Sequence, residues 1–514
     1  MRKFYLAVLS IVLLLMPFHA FLTTYLNHLL FDGSGANNMY IAMWKEVLLF
    51  MMFLGFCYEF VIGRIKIAFD KLDIGIIAFC VYLLITGLLW TSGGLMQLVY
   101  GVKYGLMFLV VFFMVKNISF TKSEKNTLFY LALSSSVIVI AFAISQKFLP
   151  EDFLVQFGYS TSHSFGDVSQ ALAYCQKVSH TDLCRVQSTF SGPNQLGAYL
   201  CFILPLVFFL GTERDKGLFR TTHLFVFFMG LFVLYWTFSR ASWLGVAGTS
   251  VIAFALLFRE RDWFRVFSES ISFLSAFCLI LAVFFVRPEA LQVATGGVFE
   301  AVFLIFHSKL FYLGVFVVSS LLILISMLRK MPILSFLTAI FNFGVFAIFL
   351  MSKFAGEFFW QFILRPSSTQ GHYERSRDGV MYMMKYPWGL GLGDAGPASS
   401  HFSENGPGFI PESWYLQVGL EGGFLGLLLF LVVLGIVLYR LFVVDNEYGK
   451  PLFIGLLALM THALLLHTFE SSAVALSFWI MTGLALASDK KPTIWEKISS
   501  TFSHFIYTIK ERFK

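Results

Sequence analysis

A carboxylate stands where a polar stretch gives way to a long apolar run: Glu412, in Pro411-Glu-Ser-Trp-Tyr-Leu-Gln-Val-Gly-Leu-Glu-Gly-Gly-Phe-Leu-Gly426. An ionisable group beside hydrocarbon is costly, which favours proton transfer or ligand binding, while a glutamate at the head of a helix also suits the helix dipole. Five arginines, Arg185, Arg240, Arg365, Arg375 and Arg377, lie in or beside the polar connectors of the same chain. Guanidinium pairs two N–H donors with two phosphate oxygens, so several arginines converging with one carboxylate would make an anion site with a base beside it. Snorkelling to lipid headgroups accounts equally well for any one of them alone. Arg240 is the most confined, with Thr237-Phe-Ser before it, Ala-Ser-Trp-Leu-Gly after it, and almost no loop between two apolar runs.

The elements that must position these groups are apolar helices. The chain of 514 residues is 58% hydrophobic, 18% aromatic and only 13% charged, with a mean hydropathy of +0.77. Lipid is its main solvent, and each crossing takes about 20 apolar residues as a helix because the backbone must satisfy its own hydrogen bonds there. About fourteen such segments are expected, near 5–27, 40–62, 73–91, 95–115, 127–148, 194–211, 221–238, 242–258, 266–286, 309–328, 332–351, 413–439, 451–469 and 472–487. The sequence thus predicts an all-α polytopic membrane protein, with one bundle over residues 1–490. The first segment follows Arg2 and Lys3, is long, and lacks a clear small-residue cleavage site, so it reads as a retained anchor.

Connector charges orient this bundle, since short cytoplasmic loops collect Lys and Arg. Arg2/Lys3, Arg64/Lys66/Lys71, Lys116/Lys122/Lys125, Arg214/Lys216/Arg220, Arg259/Arg261/Arg265, Arg329/Lys330, Arg440/Lys450 and Lys490/Lys491 fall on every second connector. Both termini are therefore expected in the cytoplasm. Two long extracytoplasmic segments follow, 149–193 and 352–412, with a smaller one around 287–308. The formal net charge of +7 reflects this bias and calls for no nucleic-acid partner. The five arginines then lie on the side where the bias disfavours them. Cys175 and Cys184 share the first external segment, where oxidation is permitted and the loop is short enough to close, so a disulfide is expected. No Cys/His spacing suggests a metal. Residues 491–514 repeat Trp495, Ile498, Phe502, Phe505/Ile506, Ile509 and Phe513 at helical spacing with Lys497, Lys510 and Arg512 between. That pattern fits a cytoplasmic interfacial helix on anionic lipid or a helix docked on the bundle.

Gly391-Leu-Gly-Asp-Ala-Gly396 matches the G-x-G-x-x-G of dinucleotide-binding turns, but no parallel-strand unit surrounds it; a tight turn near the membrane surface is expected instead. His372 and His401 are further polar groups that could act on an acceptor, His401 as a second possible base. His462, His467 and Glu470 could line a polar cavity, although helix packing explains them adequately.

Arg185-Val-Gln-Ser-Thr-Phe-Ser-Gly-Pro-Asn-Gln-Leu-Gly197, Thr237-Phe-Ser-Arg-Ala-Ser-Trp-Leu-Gly245 and Pro387-Trp-Gly-Leu-Gly-Leu-Gly393, in this order, resemble landmarks of the O-antigen ligase and polymerase superfamily. That family carries His, then Asn, Ser or Gln, nine residues, and Gly-x-x-Gly. Here Glu412, Ser413, residues 414–422 and Gly423-Phe-Leu-Gly426 fit it with Glu in place of His. The replacement keeps a proton acceptor but departs from the histidine typical of ligases that attach glycans to lipid A core. Where the family often shows Gly-Arg in its external loop, this chain has Gly371-His372, with Arg375 one helical turn on.

The resemblance implies a GT-C-like bundle in the bacterial cytoplasmic (inner) membrane. It also implies an inverting, metal-independent glycosyltransferase, without cofactor, that works on the extracytoplasmic side. The donor would be a glycan on undecaprenyl diphosphate and the acceptor a hydroxyl of a glycan, lipid or protein. Glu412 would be the base; Arg240 and Arg365, then Arg185 and Arg375, would hold the donor diphosphate. The rival reading from another class is a flippase or transporter of polyprenyl-linked oligosaccharide, for which related halves and short connectors would be expected. A cysteine introduced at Val380 is expected to react with an impermeant reagent from outside the cell; reaction solely from the cytoplasm would overturn the orientation and the site assignment with it.

Overall fold

The computed structural model describes residues 1–31, 38–67, 69–160, 172–178, 183–213, 217–258, 309–329, 331–350, 366–401 and 409–487, with isolated residues between 268 and 283. Arg365 and the tail at 491–514 lie outside the described residues, as does most of the expected segment 266–286.

In chain order the helices are α1 (Arg2–Leu15), α2 (His19–Phe31), α3 (Asn38–Ala42), α4 (Trp44–Val61), α5 (Lys71–Trp90), α6 (Gly94–Gly105), α7 (Met107–Asn117) and α8 (Lys122–Gln146). After a two-stranded ribbon come α9 (Pro193–Glu213), α10 (Gly217–Trp236), α11 (Arg240–Phe258), α12 (Lys309–Leu328) and α13 (Pro332–Leu350). The remainder are α14 (Pro366–Lys385), the short α15 (Pro397–Ser400), α16 (Trp414–Val443), α17 (Gly449–Ala463) and α18 (Ser472–Leu486). Among the described residues six helices are long and apolar enough to cross a membrane, or seven if the bent pair α6–α7 is one span. The chain is therefore a predominantly helical protein with the helices of a membrane protein.

Local sequence starts these helices where it should. Asp70 with Asp73 and Thr121 with Glu124 form reciprocal capping boxes at the heads of α5 and α8, satisfying N–H groups that have no partner within the helix. The ribbon pairs Gln176 with Arg185 and Lys177 with Cys184, a small β departure from an all-helical reading. Cys175 and Cys184 are joined by a disulfide with a Cα–Cα distance of 5.3 Å.

Helix α18 is apolar on every face and buried from Ala473 to Ala485, as expected for a helix at the centre of a bundle. It packs on α7 and also touches α1, α8, α9, α16 and α17. Phe108, Trp414, Phe469 and Trp479 interlock against it with ring centroids 5.5–6.1 Å apart.

Connectors rich in Lys and Arg meet at one end of the bundle. Arg2 pairs with Glu124 at 2.7 Å, Lys116 with Asp73 and Asp70 at 2.8 and 3.0 Å, and Arg440 with Asp70 at 3.1 Å. Lys125 donates to the carbonyl of Ala487. Three connectors, the start of α1 and the residue after α18 are thus tied together there.

Two expected continuous helices are broken. The segment 95–115 bends by 51° between α6 and α7, and Gly101 of α6 lies against the backbone of Leu392 and Gly393, where a Cβ would come within 2.7 Å of Gly393 N. The segment 413–439 is interrupted inside α16 at Gly423, with φ 65° and ψ −167°. The expected turn at Gly391–Gly396 seats itself in that break, with positive φ at Gly389, Gly391, Gly393 and Gly396. Leu390 N and Gly391 N donate to the freed carbonyls of Leu420 and Glu421 at 2.7 and 3.1 Å, and Phe424 N donates to Pro387 O at 3.0 Å.

A Cβ on Gly423 would sit 2.2 Å from Pro387 O at a backbone angle unfavourable to any side chain, whereas one on Gly435 meets nothing within 4 Å. Gly423→Ala is expected to cost about 1–3 kcal/mol and to expose the 387–396 turn to protease, with Gly435→Ala neutral in the same thermal-unfolding series in detergent. An unchanged melting temperature for Gly423→Ala would show that the break is not needed.

Candidate active site

Glu412 is held by the residues on either side of it. The Pro411 carbonyl accepts from His467 Nε2, Ser413 Oγ donates to Ala463 O at 3.1 Å, and Trp414 N donates to Leu466 O at 3.3 Å. The backbone before α16 is thereby strapped to the connector between α17 and α18. The Glu412 side chain is left 16% exposed, enough for a ligand to reach.

Helix α14 supplies its partners. His372 Nδ1 lies 3.1 Å from Glu412 Oε2, and Arg375 Nη1 donates to Oε1 at 3.3 Å. Three residues apart on a helix share a face, so the Gly371-His372 and Arg375 of the sequence act together on one carboxylate rather than as alternatives. Thr369, a further three residues back on that face, accepts from Arg240 Nη1 at 2.7 Å. At 1.5 Å rise per residue the three contacts span about 9 Å along α14. One polar helix therefore bridges Arg240 at the head of α11 and Glu412 at the head of α16. Gly379 seats α14 on α16, where a Cβ would touch Leu416 at 3.2 Å and Pro411 at 3.6 Å.

Two carboxyls here are driven apart in acidity. Burial raises the Glu412 pKa, but contacts with His372, His467 and Arg375 outweigh it and hold the group below its ordinary value. Glu470, on the connector that straps Glu412, is pushed up to about 8 by burial and then by the charge of Glu412. Near neutral pH the pair is one carboxylate and one carboxylic acid, the division of labour that acid–base sites use. His467 Nδ1 lies 3.8 Å from Glu470 Oε2, and burial lowers its pKa although Glu412 opposes this.

The other sequence candidates are distributed differently. Arg185 Nε donates to Thr237 O at 2.8 Å and its Nη2 to Asn194 at 2.6 Å, binding two of the sequence landmarks to each other. In the same region a Cβ on Gly197 would meet Ser242 Oγ at 2.2 Å. Arg377 pairs with Asp378 at 2.9 Å on the exposed side of α14. His401 packs on the Tyr100 ring at 4.7 Å and lines a cavity of about 470 Å³.

Sequence reasoning set His467 and Glu470 aside as packing residues, and it passed over Lys45 and Lys103, which line that cavity. Their charge inside otherwise apolar segments was the available signal, because intramembrane ionisable groups need a partner or a ligand. Asp394 and Glu421, also unremarked, brace the turn in the α16 break. Glu421 Oε1 accepts from Gly393 N at 3.1 Å; Asp394 accepts from Ser92 Oγ at 2.5 Å and Gln97 Nε2 at 2.8 Å, and burial outweighs these bonds to raise its pKa.

Glu470 predicts a pH dependence of stability. The folded protein keeps this proton to about pH 8, whereas the unfolded chain releases it near the ordinary 4.5. Between those values the native state binds more protons, so its contribution is complete below the lower value and is lost as pH rises through the upper one. Melting temperature should fall across this window, and Glu470→Gln should flatten the slope; an identical slope in the variant would refute the assignment. Comparison with protein-family models, curated proteins and solved structures finds no match to this chain, so the geometry of the site carries the functional reading.

Proposed function

We propose that this chain is an integral-membrane glycosyltransferase of the kind its motifs resemble, an O-antigen ligase or polymerase. It would transfer a glycan from undecaprenyl diphosphate to an acceptor hydroxyl on the extracytoplasmic side of a bacterial inner membrane. The observation that carries the reading is the α14 face, which holds Thr369 against Arg240 and His372 with Arg375 against Glu412. One helix face thereby carries both an anion site and a proton acceptor. The fourteen-crossing topology with cytoplasmic termini belongs to this proposal. Its support is the meeting of Lys- and Arg-rich connectors at one end of the bundle, opposite the end that presents Glu412.

The chemistry follows from where charge moves. The acceptor oxygen attacks the anomeric carbon, its proton passes to Glu412, and the bond from that carbon to the diphosphate oxygen breaks on the opposite face, inverting the configuration. Glu412 is ionised near neutral pH and so starts in the accepting form. Negative charge grows on the departing diphosphate, where a guanidinium stabilises it more strongly than in the ground state. Arg240 takes that role, supported by its bond to Thr369 on the α14 face, and Arg365, next to α14 in sequence, shares it. Arg375 orients Glu412 directly, and Arg185 fixes the loop that adjoins Thr237.

Donor binding and single-turnover transfer in nanodiscs test the reading. Glu412→Gln should bind lipid-linked donor almost normally but lose about 10²–10⁴-fold in transfer; Arg240→Ala should weaken both steps. Near-normal transfer by Glu412→Gln would remove its role as base and bring His401 forward. Translocation of donor without any new glycosidic bond would identify a flippase instead.

A further inference from the structure

A second polar site lies beside the first, lined by α2, α3, α4, α6, the head of α9 and the head of α18. Its volume of about 470 Å³ falls within the roughly 300–1,000 Å³ of small-molecule sites. Two ammonium groups line it. Lys45 Nζ is 3.0 Å and Lys103 Nζ 3.4 Å from the same oxygen, Glu46 Oε1. Among the described residues no other carboxylate lies within ion-pair distance of either, which leaves one positive charge in excess.

The two lysines differ in freedom. Lys45 is 1% exposed and fixed by contacts with Ala42 O at 3.0 Å and His19 Nε2 at 3.1 Å. Lys103 is 23% exposed and leans over the rings of Tyr100 and Tyr104 at 5.6 and 5.4 Å. Rings with polar edges beside a movable cation suit a sugar, which offers C–H faces to the rings and hydroxyls to the edges. Glu470 lines this cavity and also a smaller one of about 50 Å³ that holds His467, the residue bonded to Pro411 next to Glu412. A ligand in the larger cavity therefore sits behind the strap that carries the proposed base.

We propose that this cavity receives the acceptor end of an acidic glycan, with Lys103 paired to a carboxylate or phosphate on the sugar and Tyr100 and Tyr104 against its ring. The proposal rests on the glycosyltransferase reading for the word acceptor, but the binding itself requires no turnover. Lys45 holds Glu46 in place, so that Lys103 can exchange its pairing for the ligand's anion.

Direct binding to the full-length protein in nanodiscs provides the test. The probes are a glucuronate-terminated oligosaccharide, its carboxyl-reduced counterpart, inorganic phosphate, and nanodiscs with and without phosphatidylglycerol. The acidic oligosaccharide should bind about tenfold or more tightly than the reduced one, the scale of one charge-assisted contact. Lys103→Gln should erase that difference and Lys103→Arg should keep it. Equal binding of both oligosaccharides, or binding of neither, overturns the proposal, as does loss of the preference whenever phosphatidylglycerol is present, which would assign the cavity to a lipid headgroup. A preference for phosphate alone over both oligosaccharides overturns the sugar. Acidic-glycan binding with no transfer from any lipid-linked donor would retain the cavity and sink the glycosyltransferase reading, whereas transfer without the charge preference would do the reverse.

Discussion

The break in α16 at Gly423 is the constraint around which the functional end is arranged. A helix interrupted inside an apolar bundle frees carbonyls and an N–H that have no water to turn to, each costing several kcal/mol if left unpaired. The 387–391 turn takes up these groups, and its close approach is possible only because glycine occupies Gly389, Gly391 and Gly423 at positive φ. The same turn lies against Gly101 of α6, and α6 carries Lys103 and Tyr100 into the second cavity. A single backbone defect thus sets the positions of α6, α14 and the first turns of α16.

The sequence landmarks acquire a physical meaning from this arrangement, because they act in pairs. Pro387–Gly393 and Gly423–Gly426 are the two halves of the α16 break. Arg185–Gly197 and Thr237–Gly245 are joined by the Arg185 bond to Thr237 O, by Val186 N donating to Trp236 O at 3.0 Å, and by Gly197 against Ser242. Gly197 meets Ser242 Oγ, Gly389 meets Glu421 O and Gly423 meets Pro387 O, each in the segment paired with its own, whereas Gly245, Gly391 and Gly393 meet the backbone of Ala458, Thr91 and Gln97. Such residues are structural, and they build the walls that hold Arg240 and Glu412.

Electrostatics at the site come from shared enclosure. Glu412 and Glu470 stand on two segments strapped together by His467 and Ser413, and because they are close, ionising one disfavours ionising the other. Their neighbours settle which keeps its charge: His372 and Arg375 face Glu412 directly, while Glu470 has His467 at a longer 3.8 Å. The residues of α14 therefore choose the protonation state as well as the orientation of the carboxylate.

The sequence by itself determined the class of the protein, because apolar runs and charge placement are properties of composition that tertiary packing cannot reverse. It also singled out Glu412 and Arg240 as charges stationed beside apolar runs, Arg375 and His372 through the resemblance in the external loop, and the cysteine pair through its short external spacing. It did not show that α14 would join Arg240 to Glu412, because nothing in the spacing of 240, 369 and 412 says that three helix ends meet. Nor did it show where the expected spans at 95–115 and 413–439 would break. Hydropathy reads only how apolar a helix is, whereas a break depends on which distant backbone arrives to satisfy it. In the sequence His467 and Glu470 fit helix packing as well as a polar cavity, and Lys45 and Lys103 stand alone; the fold decides by gathering all four around adjoining cavities.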